Sequence, residues 1–367
     1  MHATDTAAQS APTRTTGAMT LIDLELARIS PNTASEPANR ADPPDRYPHQ
    51  LVTYLAGSPA GRVILDALLD DDVTEVYVNS DRKVWKETYS AGPTFTECLL
   101  EADFATMFLN AVATRHRLTL DRDHPAISAE LPDQFFNRAR LQGEVPPLVE
   151  HPSFNIRKPP PRTFTLPELV AQGVLTPGQR WILREAVVSR WNMVIAGNMN
   201  SGKTTFARAV LKEIAETCPR DRLLILEDTP ELRSESPNTH LMRKPERWDL
   251  TSLVTITLRK NAKRICVSEV RDREALPLLD AWTTHRGGLA TTHADSVEKC
   301  LDRLDRLAMR NGVPSDPVLI AQAVQLVILL AGDNDGRRVV EMVRVVEQQD
   351  RSNPYVLRRF DEQGKLQ

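Results

Sequence analysis

Gly197-Asn-Met-Asn-Ser-Gly202-Lys203-Thr204 matches the pattern GxxxxGK[ST], and its setting decides the fold. The apolar run Met193 to Ala196 precedes it and a helical pattern begins at Lys203. A tight turn between strand and helix presents backbone N–H groups, at the positive end of the helix, to phosphate oxygens. Gly197, Asn198, Met199, Asn200, Ser201, Gly202, Lys203, Thr204 and Thr205 are therefore the candidate nucleotide-binding residues. In such a loop the lysine reaches the β- and γ-phosphates and the threonine hydroxyl meets Mg²⁺, which makes ATP and Mg²⁺ the expected ligands. The plain alternative is a chance Gly/Ser turn before a helix.

Outward from the loop, strands and helices alternate. Pro177 to Arg190 reads as a helix with proline in its first turn. Leu223 to Leu226, Ile265 to Val267 and Leu289 to Thr292 read as short buried strands, with helices near Glu274 to Trp282 and Val297 to Met309. This order predicts an α/β domain with a mostly parallel sheet. Gln325 to Leu330 and Arg337 to Val346 flank Asn334-Asp335-Gly336, a hairpin signal.

Upstream, Val63, Leu65, Leu68 and Leu69 have helical spacing, and Val73 to Val78 and Lys83 to Glu87 read as strands around a polar turn. Ala102 to His116 is amphipathic, and Ala126 to Leu131, Arg138 to Val145 and Phe154 to Lys158 are strand-like. These make a small α+β domain over 47–158, ended by Pro159-Pro160-Pro161, whose fixed φ and missing donors give an extended connector over 159–165. The loop-bearing domain then covers 166–367. Residues 1–46, rich in Ala, Thr, Ser and Pro, read as a disordered tail in which Met19, Ile22, Leu26 and Ile29 could share one face of a short helix.

Hydrolysis needs a carboxylate to orient water, and ligands of open α/β sheets sit at the carboxyl ends of the strands. Glu227-Asp228 ends one predicted strand and Glu269 another. Glu269 and Glu227 are candidate water-orienting acids, and Thr204, Asp228 and Glu269 candidate metal ligands; a solvated strand end or helix cap is the alternative for each acid. His293 ends the strand-like Leu289 to Thr292 and falls beside both acids if the strands share a sheet; otherwise it is structural. His285 reads as a helix end.

Composition removes several classes. The 367 residues carry 46 Lys and Arg against 49 Asp and Glu, a formal charge of -3, without the basic excess of a duplex-DNA binder. Four scattered cysteines form no CxxC pair, so neither a zinc site nor a disulfide framework is expected, and the compartment reads as reducing. No apolar run approaches the roughly 18 residues of a membrane span, and no signal-peptide pattern opens the sequence.

The ordered set of phosphate loop, Glu227-Asp-Thr-Pro-Glu-Leu232, Ser268-Glu-Val-Arg271 and Thr291-Thr-His-Ala294 resembles the Walker A, Asp box, Walker B and His box of the secretion-superfamily ATPases. With Asp72-Val-Thr-Glu-Val-Tyr-Val-Asn79, Arg140-Leu-Gln-Gly-Glu-Val-Pro-Pro147 and Phe154-Asn-Ile-Arg-Lys158, the likeness is to the conjugal-transfer, type IV secretion branch of the TrbB kind, over about residues 55 to 350. That resemblance implies a RecA-like ATPase domain behind a PAS-like N-terminal domain. It also implies a homo-hexameric ring and inner-membrane partners in a secretion or conjugation apparatus. The motor would be cytoplasmic and peripheral at the inner membrane; direct nucleic-acid binding stays open. By the same resemblance Arg140 and Arg157 match arginines that reach the nucleotide phosphates, a role suited to a bidentate guanidinium, and Arg271 is a lesser candidate for sensing charge. A pilus assembly or retraction motor and an ATP-binding scaffold with negligible turnover are the rival readings. Asn198 and Asn200 stand where the resembled loop has glycines, so any left-handed position there falls to asparagine; Ser268 replaces a glycine before the Walker B acid.

Overall fold

Alternation fixes the first sheet. Val76 and Val78 of β1 (Val73–Val78) and Val84 of β2 (Lys83–Thr88) are buried, while Tyr77 and Trp85 point to the other face and stack at 6.3 Å. β3 (Gly92–Leu99), β4 (Ala126–Glu130), β5 (Arg140–Glu144) and β6 (Ser153–Arg157) complete an antiparallel sheet in the order β3-β2-β1-β6-β5-β4. Helices α1 (Tyr47–Ala56), α2 (Pro59–Leu69) and α3 (Ala102–Arg115) cover the valine face, with Leu55, Ile64, Phe108 and Val112 fully buried against it. In this computed structural model the described residues are 46–159, 162–228, 231–244, 248–333, 336–350, 354–361 and 363–367. The expected tail with its Met19 to Ile29 face, Pro160 and Pro161, Thr229 and Pro230, and the hairpin tip Asn334-Asp335 lie outside them. The chain divides into two units, Met1–Pro161 and Arg162–Gln367.

The second unit opens with α4 (Leu166–Ala171) and α5 (Pro177–Val188). Each starts at a capping box, Thr165 with Glu168 and Thr176 with Gln179, that satisfies the first free N–H groups. Five parallel strands follow: β7 (Met193–Gly197), β8 (Leu223–Glu227), β9 (Thr239–Arg243), β10 (Arg264–Val267) and β11 (Leu289–Thr292). They are joined by β12 (Leu326–Asp333), β13 (Gly336–Glu347) and β14 (Tyr355–Arg359) in the order β14-β13-β12-β7-β11-β10-β8-β9. β12 runs parallel to β7, and β13 and β14 are antiparallel additions at that edge.

The central strands of this sheet are buried on both faces. Val194, Leu224, Ile265 and Val327 face α7 (Leu250–Thr257), α8 (Ala275–Thr284), α9 (Val297–Met309) and α10 (Pro317–Ala323). Met193, Ile195, Leu223 and Ile328 face α4, α5 and α6 (Lys203–Thr217). A strand buried on both faces reads as an uninterrupted apolar run, which is why β7, β8, β10 and β11 stand out in the sequence. The unit is thus an α/β domain with a mixed sheet. Among the described residues no helix is long and apolar enough to cross a membrane.

Candidate nucleotide-binding site

β7 ends at Gly197 and α6 begins at Lys203, and the turn between them needs two left-handed residues: Asn200 at φ 61° and Gly202 at φ 89°. Asparagine tolerates that region better than other side chains, so a loop with fewer glycines still closes; Asn198 is not in it. A Cβ on Gly197 would lie 2.5 Å from Ser201 Oγ and 2.6 Å from the Leu330 carbonyl, so the neighbouring β12 permits only glycine there. Ser201 Oγ is buried and has no hydrogen-bond partner. Met199 is 76% exposed at the loop's crest.

Lys203 folds back across the loop. Its ammonium donates to the Gly197 carbonyl at 2.9 Å and the Asn198 carbonyl at 2.7 Å, and lies 3.3 Å from His293 Nδ1. Burial pulls its pKa down, against the raising influence of Glu269 and Glu231. The Thr204 hydroxyl donates to Glu231 Oε2 at 3.0 Å, and Thr205 is half-buried in the first turn of α6.

β11 lies next to β7 and β10 next to β11, and together they bring Glu269 and His293 to the same end of the sheet. His293 Nε2 is 3.2 Å from Glu269 Oε1, while Arg271 Nη2 donates to Glu269 Oε2 at 2.6 Å. Burial pushes the Glu269 carboxyl up, but Arg271, His293 and Lys203 outweigh it and hold the group below its ordinary range. His293 is pulled down by burial and by the Lys203 charge, against the raising influence of Glu269. With Nδ1 facing the lysine donor, the proton of the uncharged ring belongs on Nε2, while the Glu269 oxygen that Nε2 faces has no hydrogen-bond partner. Lys203, His293, Glu269 and Arg271 thus lie in one chain of close polar contacts.

The other acid is placed differently. Glu227 is fully buried; its Oε1 accepts from the backbone N–H of Glu231 at 2.9 Å and from that of Leu232, and its Oε2 has no hydrogen-bond partner. Burial raises its pKa to about 7. It holds the loop that carries Glu231. Asp228 pairs with Lys244 at 3.0 Å. Asp228, Glu231, Ser268, Glu269 and Arg271 line a cavity of about 170 Å³. Ser268 is buried, and its carbonyl accepts from the Thr291 hydroxyl at 2.6 Å, tying β10 to β11.

Arg140 and Arg157 belong to the first unit. They face each other across β5 and β6, both exposed, with Glu75 and Glu130 as their outer cross-strand neighbours. His285 caps α8 by facing the Ala281 carbonyl at 3.1 Å. Sequence reasoning assigned no role to Glu231, although it lies within the stretch quoted for the Asp box, four residues past Glu227. Its carboxylate is what the metal-candidate threonine meets.

The loop's left-handed turns, its buried unpartnered hydroxyl and the lysine bonded to bare carbonyls fit a polyphosphate. Among the described residues no three His, Cys, Asp or Glu side chains converge to hold a metal by themselves.

Comparison with known proteins agrees with this geometry. The chain is 38% identical over 280 residues to a probable conjugal transfer protein TrbB of Sinorhizobium fredii, covering 76% of this chain and 85% of that one. It is 35% identical over 297 residues to the conjugal transfer protein TrbB of Rhizobium radiobacter, covering 81% and 90%. The crystallographic structure of the Legionella pneumophila ATPase DotB shares the fold at a TM-score of 0.58 and 19% identity, over 83% of each chain. Residues 102–354 match the family described as Type II/IV secretion system protein; the chain belongs to that family.

Proposed function

We propose that the protein is a Mg²⁺-dependent ATPase that works as a homo-hexameric motor and powers conjugative transfer or type IV secretion from the cytoplasmic face of the inner membrane. The second unit is its RecA-like ATPase domain and the first a PAS-like domain. The observation that carries this reading is the chain of close contacts from Lys203 through His293 to Glu269, set at the mouth of a phosphate loop. Membership of the secretion family and the two conjugal transfer relatives favour conjugation over a pilus motor.

The roles follow from position. The loop amides from Asn198 to Thr205 bind the phosphates, and the Lys203 ammonium exchanges carbonyl oxygens for γ-phosphate oxygens. Bound Mg²⁺ would neutralise phosphate charge, held at the Thr204 hydroxyl with Asp228, Glu231 and Glu269 close by. Glu269, ionised and on the γ-phosphate side, orients the attacking water. Glu227 is the weaker candidate for that task, because it is fully buried and one of its carboxylate oxygens is already taken by backbone donors. His293 links Glu269 to Lys203, so departure of the lysine toward phosphate changes the field at the acid. Arg140 and Arg157 couple phosphate occupancy to movement between the units.

Equilibrium binding of a fluorescent ATP analogue, with and without Mg²⁺, tests the site directly. Wild type is expected to bind and Lys203→Ala to lose at least tenfold in affinity. Equal binding by the two proteins would contradict the reading. Tight binding with no phosphate release in any oligomeric fraction would point to the scaffold instead.

A further inference from the structure

The sheet order gives the phosphate loop two sides. β11 and β10 lie on one and bring His293 and Glu269; β12 and β13 lie on the other, and none of the roles above uses them. That second side is close-packed. A Cβ on Gly332 would lie 2.9 Å from Ser201 Cα and 3.3 Å from the Asn200 carbonyl. Arg337, paired with Gly332 across the hairpin, donates from Nε to the Asn200 carbonyl at 3.2 Å. Its Cδ would be 3.0 Å from a Cβ on Gly202.

Arg337 is exposed, and among the described residues only its Nε is engaged. The planar Nη end of the guanidinium is left over solvent, at the loop's rim. Lys203 and the acids place the γ-phosphate end of a nucleotide on the β11 side, so the nucleoside end leaves the loop elsewhere, and on the hairpin side Arg337 stands exposed beside the loop. We propose that Arg337 is a nucleotide-binding residue that covers the nucleoside end, laying its guanidinium plane on the base. A guanidinium suits this because it stacks on a π face while its Nε remains hydrogen-bonded. Tethering to Asn200 also makes a left-handed asparagine part of the site, since the carbonyl that Arg337 grips belongs to the residue at φ 61°. This inference rests on the loop binding a nucleotide.

The test separates the two claims by using ADP and inorganic pyrophosphate as probes of the full-length chain, measured by calorimetry. Pyrophosphate fills the loop but has no base. Arg337→Ala is expected to weaken ADP by roughly threefold to tenfold and to leave pyrophosphate unchanged. Arg337→Lys, which keeps the charge and loses the plane, is expected to recover little of the loss. Arg338→Ala, on the opposite face of β13, serves as the control and should bind both probes as wild type does. An equal loss of both probes in Arg337→Ala would show a mere clamp on the loop and overturn the assignment. Unchanged ADP affinity would overturn it too. A wild type that binds neither probe would overturn the nucleotide reading itself, and this inference with it.

Discussion

Lys203 and Glu227 show how burial and hydrogen bonding set what a charged group does. Lys203 is held by two carbonyls and lies against the His293 ring, neighbours that a phosphate outcompetes because its charge strengthens each bond. Glu227 has a pKa of about 7, against an ordinary carboxyl near 4.5, so the folded protein binds its proton more tightly than the unfolded chain does. Stability from this group is therefore fully present below about pH 4.5 and is lost as pH rises toward 7. Glu227→Gln keeps an acceptor for Glu231 and Leu232 and removes that loss. Its melting temperature should exceed that of wild type at pH 8, by the equivalent of about 1–3 kcal/mol, and the gap should close toward pH 5. A gap that does not vary with pH would contradict the assignment. Most of this site was legible residue by residue, because GxxxxGKT and acids at strand ends are local patterns. The engagement of Glu227 was not, since nothing local says whether a strand-end carboxylate turns outward to a ligand or back onto its own loop. Glu231 was missed for the same reason.

At the scale of elements, the strands that the sequence did not announce are β3, β9 and β14, and each is the edge of its sheet. Neither β9 nor β3 has a buried residue. An edge strand buries at most part of one face and so carries no apolar run. Helices α1, α7 and α10, of ten, eight and seven residues, were also missed, being too short for a clear period. Two glycines hold elements together by closeness. A Cβ on Gly288 would lie 2.2 Å from Trp282 Nε1 and 2.5 Å from the Ile265 carbonyl, the very pair whose 3.0 Å hydrogen bond ties α8 to β10. Gly288→Ala should cost about 1–3 kcal/mol, read from urea unfolding. At Gly197 the same change drives a methyl group into Ser201 and Leu330. Gly197→Ala should abolish binding of the fluorescent ATP analogue while leaving far-UV circular dichroism unchanged; normal binding would mean that the loop is not held by β12.

At the scale of the molecule, the division into two units and the α/β character of the second follow from pattern: prolines at 159–161 and alternating strands and helices. Whether six copies assemble is not written in any local pattern, because it depends on surfaces rather than on periodicity. Arg140 and Arg157 test the larger claim, since they sit on the unit without the phosphate loop, exposed and side by side. If they report phosphate occupancy, the double substitution to alanine should lower ATP turnover by at least tenfold with the melting temperature held within a few degrees. Unchanged turnover would confine catalysis to the second unit. The central claim, a hexameric motor, is tested most directly by Mg²⁺-dependent phosphate release across a gel-filtration profile of wild type, Lys203→Ala and Glu269→Gln. The account predicts activity that follows a hexamer-sized peak and is lost in both variants. Activity in the monomer fraction, or full activity in Glu269→Gln, would contradict it.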